Sequence, residues 1–379
     1  MGKNPVKNLQ DCFSTLTDPR VNRARRHELL DMLIIAVCAV ICGADTWVDI
    51  AEFGRIRRKW FKSFLHLPHG IPSHDTFGRV FAMLNPEEFI HCFILWAEGL
   101  REALDGQLIS VDGKTLRASH DYASGKTALQ IVSAWASANH LVLGQLRVEG
   151  DSNEMTAIPA LLKLIFVKDC IVTIDAIGTQ KEIIKEIRNQ GADYVIALKD
   201  NQGLFYEGVT ESFDAGLRTN FKDIAHDYWE SLDKGHGRIE TRKYWTIFDP
   251  DYLKYFDPQG QWKDLKSVGM VEAERIIKGE VSRQRRYYIS SLSGKAQQLG
   301  RAVRSHWEIE NSLHWVLDVD FREDVSRVRK GYAAENFAAL RRFVINLIKQ
   351  ESTFRKSVKG RRLAASWDTD YLLKILTSV

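Results

Sequence analysis

LISVDGKTLRA (108–118) decides the fold, because the period of the apolar residues changes there. Downstream, TALQIVSAWAS (127–137) and LVLGQLRVEG (141–150) are further short runs rich in Val, Ile and Leu, bounded by polar or glycine-containing links, and all three read as strands. EMTAIPALLKLI (154–165) then reads as a helix, CIVTIDA (170–176) as a strand, KEIIKEIRNQ (181–190) as a helix and DYVIALK (193–199) as a strand. Three closely linked strands followed by alternating helix and strand predict an α/β fold with a mixed sheet, antiparallel at first and parallel where helices intervene. Residues 201–300 break the alternation with IETRKYWTIF (239–248), SVGMVEAERII (267–277) and RRYYISSL (285–292), a β-rich insertion. QLGRAVRSHWEIENSLHWVL (298–317) and GYAAENFAALRRFVINLIKQ (331–350) return to helix.

Upstream, HELLDMLIIAVCAVICGA (27–44), TWVDIAEFGRIRRKWFKSFL (46–65) and NPEEFIHCFILWAEGLREAL (85–104) repeat apolar residues at helical spacing. Between the last two, Pro68, Gly70 and Pro72 break the chain, and Ser73 or Asp75 caps a short helix. A DNA-reading helix pair and a plain helical bundle give this same pattern. The expected order is a helical region at 1–100, the first part of an α/β core at 101–200, the insertion at 201–300, a helical part of the core at 301–350 and a basic tail at 351–379.

The chain has 379 residues, 45% of them hydrophobic and 27% charged, which is an ordinary globular composition and excludes a disordered or fibrous chain. The longest apolar run, MLIIAVCAVICGA (32–44), is too short to span a bilayer, which takes roughly 20 residues. Nothing about it suggests a signal peptide. Five cysteines without a C-x-x-C pair suit a reducing cytoplasm and argue against a disulfide framework or a zinc ribbon.

The net charge of +4 conceals an uneven distribution. From Arg341 onward nine basic residues meet three acidic ones. RIRRKWFK (55–62) and RKSVKGRR (355–362) each hold five basic residues, the first interleaved with Trp60 and Phe61. Such clusters neutralise phosphates and release counterions, although a solvated face has the same composition.

Two acids stand where an acid is costly. Asp112 ends the apolar run of 108–111, and Asp175 ends that of 171–174. At the carboxyl ends of neighbouring strands they would converge where α/β sheets bind ligands, unless Asp112 merely makes a turn and Asp175 caps a helix. A two-metal site wants a third carboxylate, and Glu310 is the best placed, sharing a helical face with Trp307, His314 and Leu317. Glu308 is the runner-up, and Trp307 and Trp315 read as core residues. Asp318, Asp320, Glu323 and Asp324 read as a solvated loop.

SVDGKTLRAS (110–119), VTIDAIGTQ (172–180), ALKDNQ (197–202) and HWEIENSLHWVLDVDFREDVSRVRK (306–330), in that order, resemble bacterial insertion-sequence transposases of the Asp-Asp-Glu type. More closely, they resemble the H-repeat-associated proteins of Rhs elements. The likeness covers most of the chain, including HDTFGRVF (74–81). It implies an RNase-H-like core with two divalent ions, Mg2+ or in its place Mn2+, held by Asp112, Asp175 and Glu310 as the catalytic residues. It also implies a β-rich insertion before the Glu, and the spacing agrees: 63 residues separate Asp112 from Asp175, but 135 separate Asp175 from Glu310. The partners it implies are double-stranded DNA, as element ends and target, and a second copy of the chain on that DNA. The setting would be the bacterial cytoplasm, at the nucleoid.

The family carries a Tyr seven residues before its Glu, an Arg four before and a Lys seven after. Here those positions hold Val303, His306 and Leu317. Arg301, Arg304, Arg327, Arg329 and Lys330 are the substitutes nearest in sequence. The candidate DNA contacts are Arg55, Arg57, Arg58, Lys59, Lys114, Lys199, His306, Arg327, Arg329, Lys330, Arg355, Lys356, Arg361 and Arg362, with the 55–62 and 355–362 clusters flanking the DNA path. His236 and Arg238 sit in a Gly-flanked turn of the insertion.

Two other readings of the VDGKT stretch fail. A P-loop needs a Gly at the positions of Leu108 or His120, and a haloacid-dehalogenase-like phosphatase needs an Asp at Ser110. A catalytically inactive DNA-binding relic, or a repressor of a mobile element, is the remaining alternative.

Overall fold

The computed structural model describes residues 6–21, 25–101, 106–120, 125, 127–149, 154–235, 238–277 and 280–378. The first hundred residues supply α1 (Lys7–Cys12), α2 (Leu29–Ile41), α3 (Trp47–Ile56), α4 (Arg58–Phe61), α5 (His74–Met83) and α6 (Pro86–Leu100). Their starts are chemically marked. Thr46 and Asp49 form a reciprocal capping box on α3, Ser73 caps α5, and Asn85 precedes Pro86 at the first position of α6. The expected helix over 46–65 is broken at Arg57 into α3 and α4. α2 is buried almost all round, as its apolar sequence requires.

The core follows: β1 (Leu108–Leu116), β2 (Leu129–Ala136), β3 (Leu141–Arg147), α7 (Glu154–Leu164), β4 (Ile171–Ile174), α8 (Lys181–Asn189) and β5 (Asp193–Leu198). The insertion holds α9 (Leu204–Thr219), β6 (His226–Gly235), β7 (Arg238–Ile247), α10 (Pro250–Phe256), β8 (Ser267–Ile277) and β9 (Glu280–Ser290). The chain ends in α11 (Ala296–Ile309), α12 (Trp315–Val319), α13 (Ala333–Gln350), α14 (Val358–Trp367) and α15 (Thr369–Thr377).

Among the described residues the strands make one mixed sheet in the order β3-β2-β1-β4-β5-β9-β8-β7-β6. β1 pairs antiparallel with β2 and parallel with β4, and β4 pairs parallel with β5. This is the RNase-H-like arrangement. The insertion does not form a separate sheet: β9 pairs antiparallel with β5, and β8, β7 and β6 continue outward.

The alternation along the strands sorts the two faces. Ser110, Asp112 and Ser133 point to the face covered by α11 and α13, where Ser110 donates to the Ser305 carbonyl and Arg342 donates to Ser133 Oγ. Gly113 and Gly144 point to the other face, against Glu154 of α7 and Ile94 of α6. α13 is buried along most of its length and ties the sheet to the N-terminal helices. Its Asn346 bonds both backbone groups of Val142, and its Asn336 bonds the carbonyls of Phe81 and Leu84. The basic residues beyond 350 are largely folded into α14 and α15, which bury Leu372, Ile375 and Leu376.

Candidate active site

β1 and β4 run parallel with Val111 opposite Ile174, so Asp112 and Asp175 lie one step further along adjacent strands. Asp112 accepts from the Gly113 amide at 2.9 Å, and Asp175 accepts from the Ile177 amide at 3.1 Å, capping a short turn. Glu310 arrives from the opposite layer at the end of α11. There the helix widens into a five-residue turn, 310–314, before α12 resumes. Such wide turns re-aim side chains and recur at functional sites. All three carboxylates line one cavity of about 380 Å3, together with Lys199 and His306.

His314 closes this group. It is buried, with Nδ1 3.2 Å from Glu310 Oε2 and 3.5 Å from Asp112 Oδ2, and its Nε2 has no hydrogen-bond partner among the described residues. The candidate ligand atoms of Asp112, Glu310 and His314 all lie within 4.8 Å of one another, and two carboxylates with an imidazole are a donor set suited to a divalent cation. Glu154, on the other face of the sheet, is a fourth acid close enough to act electrostatically on Asp112 and Asp175. Its carboxylate lies so close over Gly113 that a Cβ there would meet Oε1 at 2.0 Å.

The electrostatics follow from this crowding. Burial lifts the Asp112 carboxyl to about 6, with Asp175 and Glu310 adding to the effect and His314 opposing it. Glu154 is also raised, by burial and then by Asp112 and Asp175. Glu310 is held low by the hydrogen bond from His314. Carboxylates packed together without a cation have a strong electrostatic reason to take one up.

The candidate DNA contacts divide sharply. Lys199 is exposed in the acid cavity. Lys114 has a side chain only 8% exposed and is paired with Asp318 at 2.6 Å and Asp324 at 3.0 Å. His306 turns inward to Thr173 Oγ1 at 3.2 Å, and burial lowers its pKa, which keeps it neutral. Arg327, Arg329 and Lys330 line a large groove, about 1010 Å3, against the starts of α3 and α5, although Arg329 is engaged by the Ala118 carbonyl. Of the first basic cluster, Arg58 and Lys59 are exposed, Arg55 pairs with Glu52, and Arg57 donates to the Ser366 carbonyl. Of the second, Arg355 and Lys356 are exposed. Arg361 holds the carbonyls of Ile348 and Glu351, and Arg362 is buried over the Phe321 ring with a bond to the Val40 carbonyl. The Arg57–Ser366 bond makes the two clusters neighbours. Lys359 and Arg362 act on Asp320, ten residues beyond Glu310 and about 15 Å along at helical rise. His236 and the Arg238 side chain lie outside the described residues.

Three expectations need correction. Trp307 and Trp315 are 45% and 54% exposed, so they are not core residues. The wide turn carries Trp307 and Glu310 off the face that buries His314 and Leu317. Glu323, read as part of a solvated loop, is fully buried between Arg341 and Arg342. Sequence reasoning also missed His314, Glu154 and Arg286 at the site. His314 had a signal, four residues after Glu310 in the same helix, whereas Glu154 and Arg286 are brought in only by the sheet.

Comparison with known proteins supplies the family. A family model described as DDE_Tnp_1-associated matches residues 10–97, and one described as Transposase DDE domain matches residues 103–347. The chain is 38% identical to "Putative transposase YncI" of Escherichia coli O157:H7, over 98% of this chain and 95% of that one. It is 36% identical to "H repeat-associated putative transposase YhhI" of Escherichia coli K12, over 98% of both. A family model spanning more than half the chain and relatives matched over nearly their whole length lead to one conclusion: the chain belongs to the DDE-domain transposase family.

Proposed function

We propose that this chain is an active DNA transposase that cuts the ends of its element and joins them to target DNA. The observation that carries the reading is the convergence of Asp112, Asp175 and Glu310 on one cavity, with His314 spaced to share a cation with two of them. Asp112, Asp175 and Glu310 are the catalytic residues and would hold two divalent ions, Mg2+ or in its place Mn2+. Bound there, the ions would supply a nucleophilic oxygen at neutral pH and charge stabilisation for the leaving oxygen. The chain's own part is positional. The sheet fixes Asp112 and Asp175, the helix carries Glu310 to them, and Lys199 offers a positive charge to a phosphate in the cavity. Residues 1–100 form a DNA-binding helical region, with 101–200 and 301–350 as the catalytic core around the 201–300 insertion. Exposed members of the two basic clusters, among them Arg55, Arg58, Lys59, Arg355 and Lys356, contact DNA backbone. The working form is a homodimer on DNA in the bacterial cytoplasm. No described helix is long and apolar enough to cross a membrane.

The test uses purified protein, Mg2+ and DNA carrying the element's terminal repeats, comparing wild type with Asp175→Ala. Cleavage by the wild type alone is expected. DNA that is bound but left intact by both proteins would leave the inactive-relic reading, and cleavage that survives Asp175→Ala would remove the site assignment.

A further inference from the structure

The family's arginine position before the Glu is His306 here, a half-buried side chain held against Thr173. α11 therefore brings no guanidinium of its own to the acid cavity at that position. The described cations that line the cavity are Lys199, Arg285 and Arg286. Arg285 is already matched by Glu272 at 2.6 Å and Asp214 at 2.9 Å. Arg286, on β9, has no carboxylate within ion-pair distance among the described residues. Its guanidinium lies 4.6 Å from the centre of the Trp307 ring, one turn before Glu310, and donates to Gln284 Oε1 at 3.2 Å.

This placement leaves Arg286 prepared for an anion. A guanidinium over an indole face is held in orientation by the ring, and although Arg286 also bonds the Tyr288 side chain, its remaining N–H donors are not matched by a carboxylate among the described residues. A carboxylate partner would occupy those donors. Trp307 is also half exposed, so the pair stands at the mouth of the cavity. On its other side Arg286 faces a second hollow of about 290 Å3, between the insertion sheet and α11, where Arg242, Arg275 and Arg304 also line the wall. Those three are braced by Glu240 and Asp233. The two hollows share Arg286, Gln284, Tyr288, Val303 and Trp307, so the Arg286–Trp307 pair stands between them, and Glu308 lines the second one.

We propose that Arg286 grips the DNA phosphate next to the one presented to Asp112, Asp175 and Glu310. The inference rests on the reading of the chain as a DNA-cutting enzyme and adds a phosphate contact supplied by the insertion. The insertion, on this view, is a substrate-gripping element. Arg286 replaces from a neighbouring strand the charge that the helix lacks.

The experiment measures binding of a fluorescent DNA duplex across a salt series, with cleavage read in parallel. Arg286→Gln keeps the length and polarity of the side chain and is expected to lower the slope of log affinity against log salt by about one, the signature of one lost phosphate contact. It should also slow cleavage at least tenfold. Arg286→Lys should restore the slope but not the rate, because a lysine cannot make the paired contacts of a guanidinium. Arg283→Gln, three residues away and paired with Glu274, should match wild type in both. A wild-type slope in Arg286→Gln, or an equal fall in Arg283→Gln, overturns the proposal. Cleavage that survives Asp175→Ala would overturn the catalytic reading instead, and the salt slope would still decide on Arg286.

Discussion

Two acids on the same face of the sheet, Glu323 fully buried and Asp112 partly so, have opposite surroundings. Glu323 is fully buried and accepts from Arg342 at 2.9 Å, with Arg341 3.9 Å away; both arginines are themselves buried. Asp112 has Asp175, Glu310 and Glu154 around it, and among the described residues His314 is the basic group within ion-pair distance. The two sites nearly touch. Arg342, while bound to Glu323, also donates to Ser133, and Ser133 is the strand partner of Asp112. Lys114, two residues from Asp112, is turned to Asp318 and Asp324. Positive charge is therefore available within a few residues of Asp112 and is used elsewhere. An acid matched by internal cations is part of the architecture, and a group of acids left unmatched requires a cation from outside.

The largest expected effect tests that distinction directly. Glu323→Gln leaves Arg342 and Arg341 buried without their carboxylate and should cost about 3–5 kcal/mol in urea unfolding. Asp112→Asn removes a charge from among other acids and should leave the metal-free protein as stable as wild type or more so. Equal losses in the two variants would break the comparison.

The second effect is a pH dependence of unusual sign. The carboxyl of Asp112 is raised in the folded protein to about 6, from an ordinary value of 3.8. The folded state thus binds this proton more tightly than the unfolded one. Its ionised form destabilises the metal-free protein fully above pH 6, and the penalty is relieved as pH falls from about 6 toward 4. The gain should be on the order of 2 kcal/mol and absent in Asp112→Asn, which denaturation at pH 7 and pH 5 would measure. No such gain in the wild type would mean that the acids are better solvated than their packing indicates.

How much of this was legible in the sequence follows from what each feature depends on. Asp112 and Asp175 stood out because an acid at the end of an apolar strand is locally anomalous, and the strands placed them side by side. Glu310 is preferred to Glu308 by helical face alone, and the resemblance then points to the same residue. The register that adds β9 to β5, and so carries Arg286 to the acids, is a long-range pairing with no local mark. The basic clusters misled for a related reason. A run of arginines gives charge but not the acceptor each one finds, and Arg57, Arg361 and Arg362 find backbone carbonyls at helix ends and loops.

His314 sharpens the comparison from within the acid group. Its Nδ1 sits between Glu310 and Asp112, so it sets their separation whether or not it touches an ion. His314→Gln should weaken Mn2+ binding by calorimetry on the order of tenfold, as loss of a ligand or of the group orienting one does. Asp175→Ala in the same assay gives the scale for a lost carboxylate. Unchanged Mn2+ affinity in His314→Gln would reduce His314 to core packing.

The smallest effect belongs to charges that neither site uses. Lys59 and Lys356 are exposed and make no ion pair among the described residues, so each should contribute little to folding. Lys59→Ala and Lys356→Ala should change stability by less than about 0.5 kcal/mol. Their expected role lies outside the fold, in long-range attraction that salt screens over about 10 Å at 0.1 M. Each variant should therefore lower DNA affinity only a few-fold at low salt, and the difference should vanish as salt rises. Arg342→Lys, conservative on paper, should instead lose stability at every salt concentration, because its partner is buried and the guanidinium's several bonds to Glu323, Ser133 and Ala338 cannot be made by an ammonium. If the exposed lysines and the buried arginine responded to salt alike, matched and unmatched charge would not be the property that separates architecture from function in this chain.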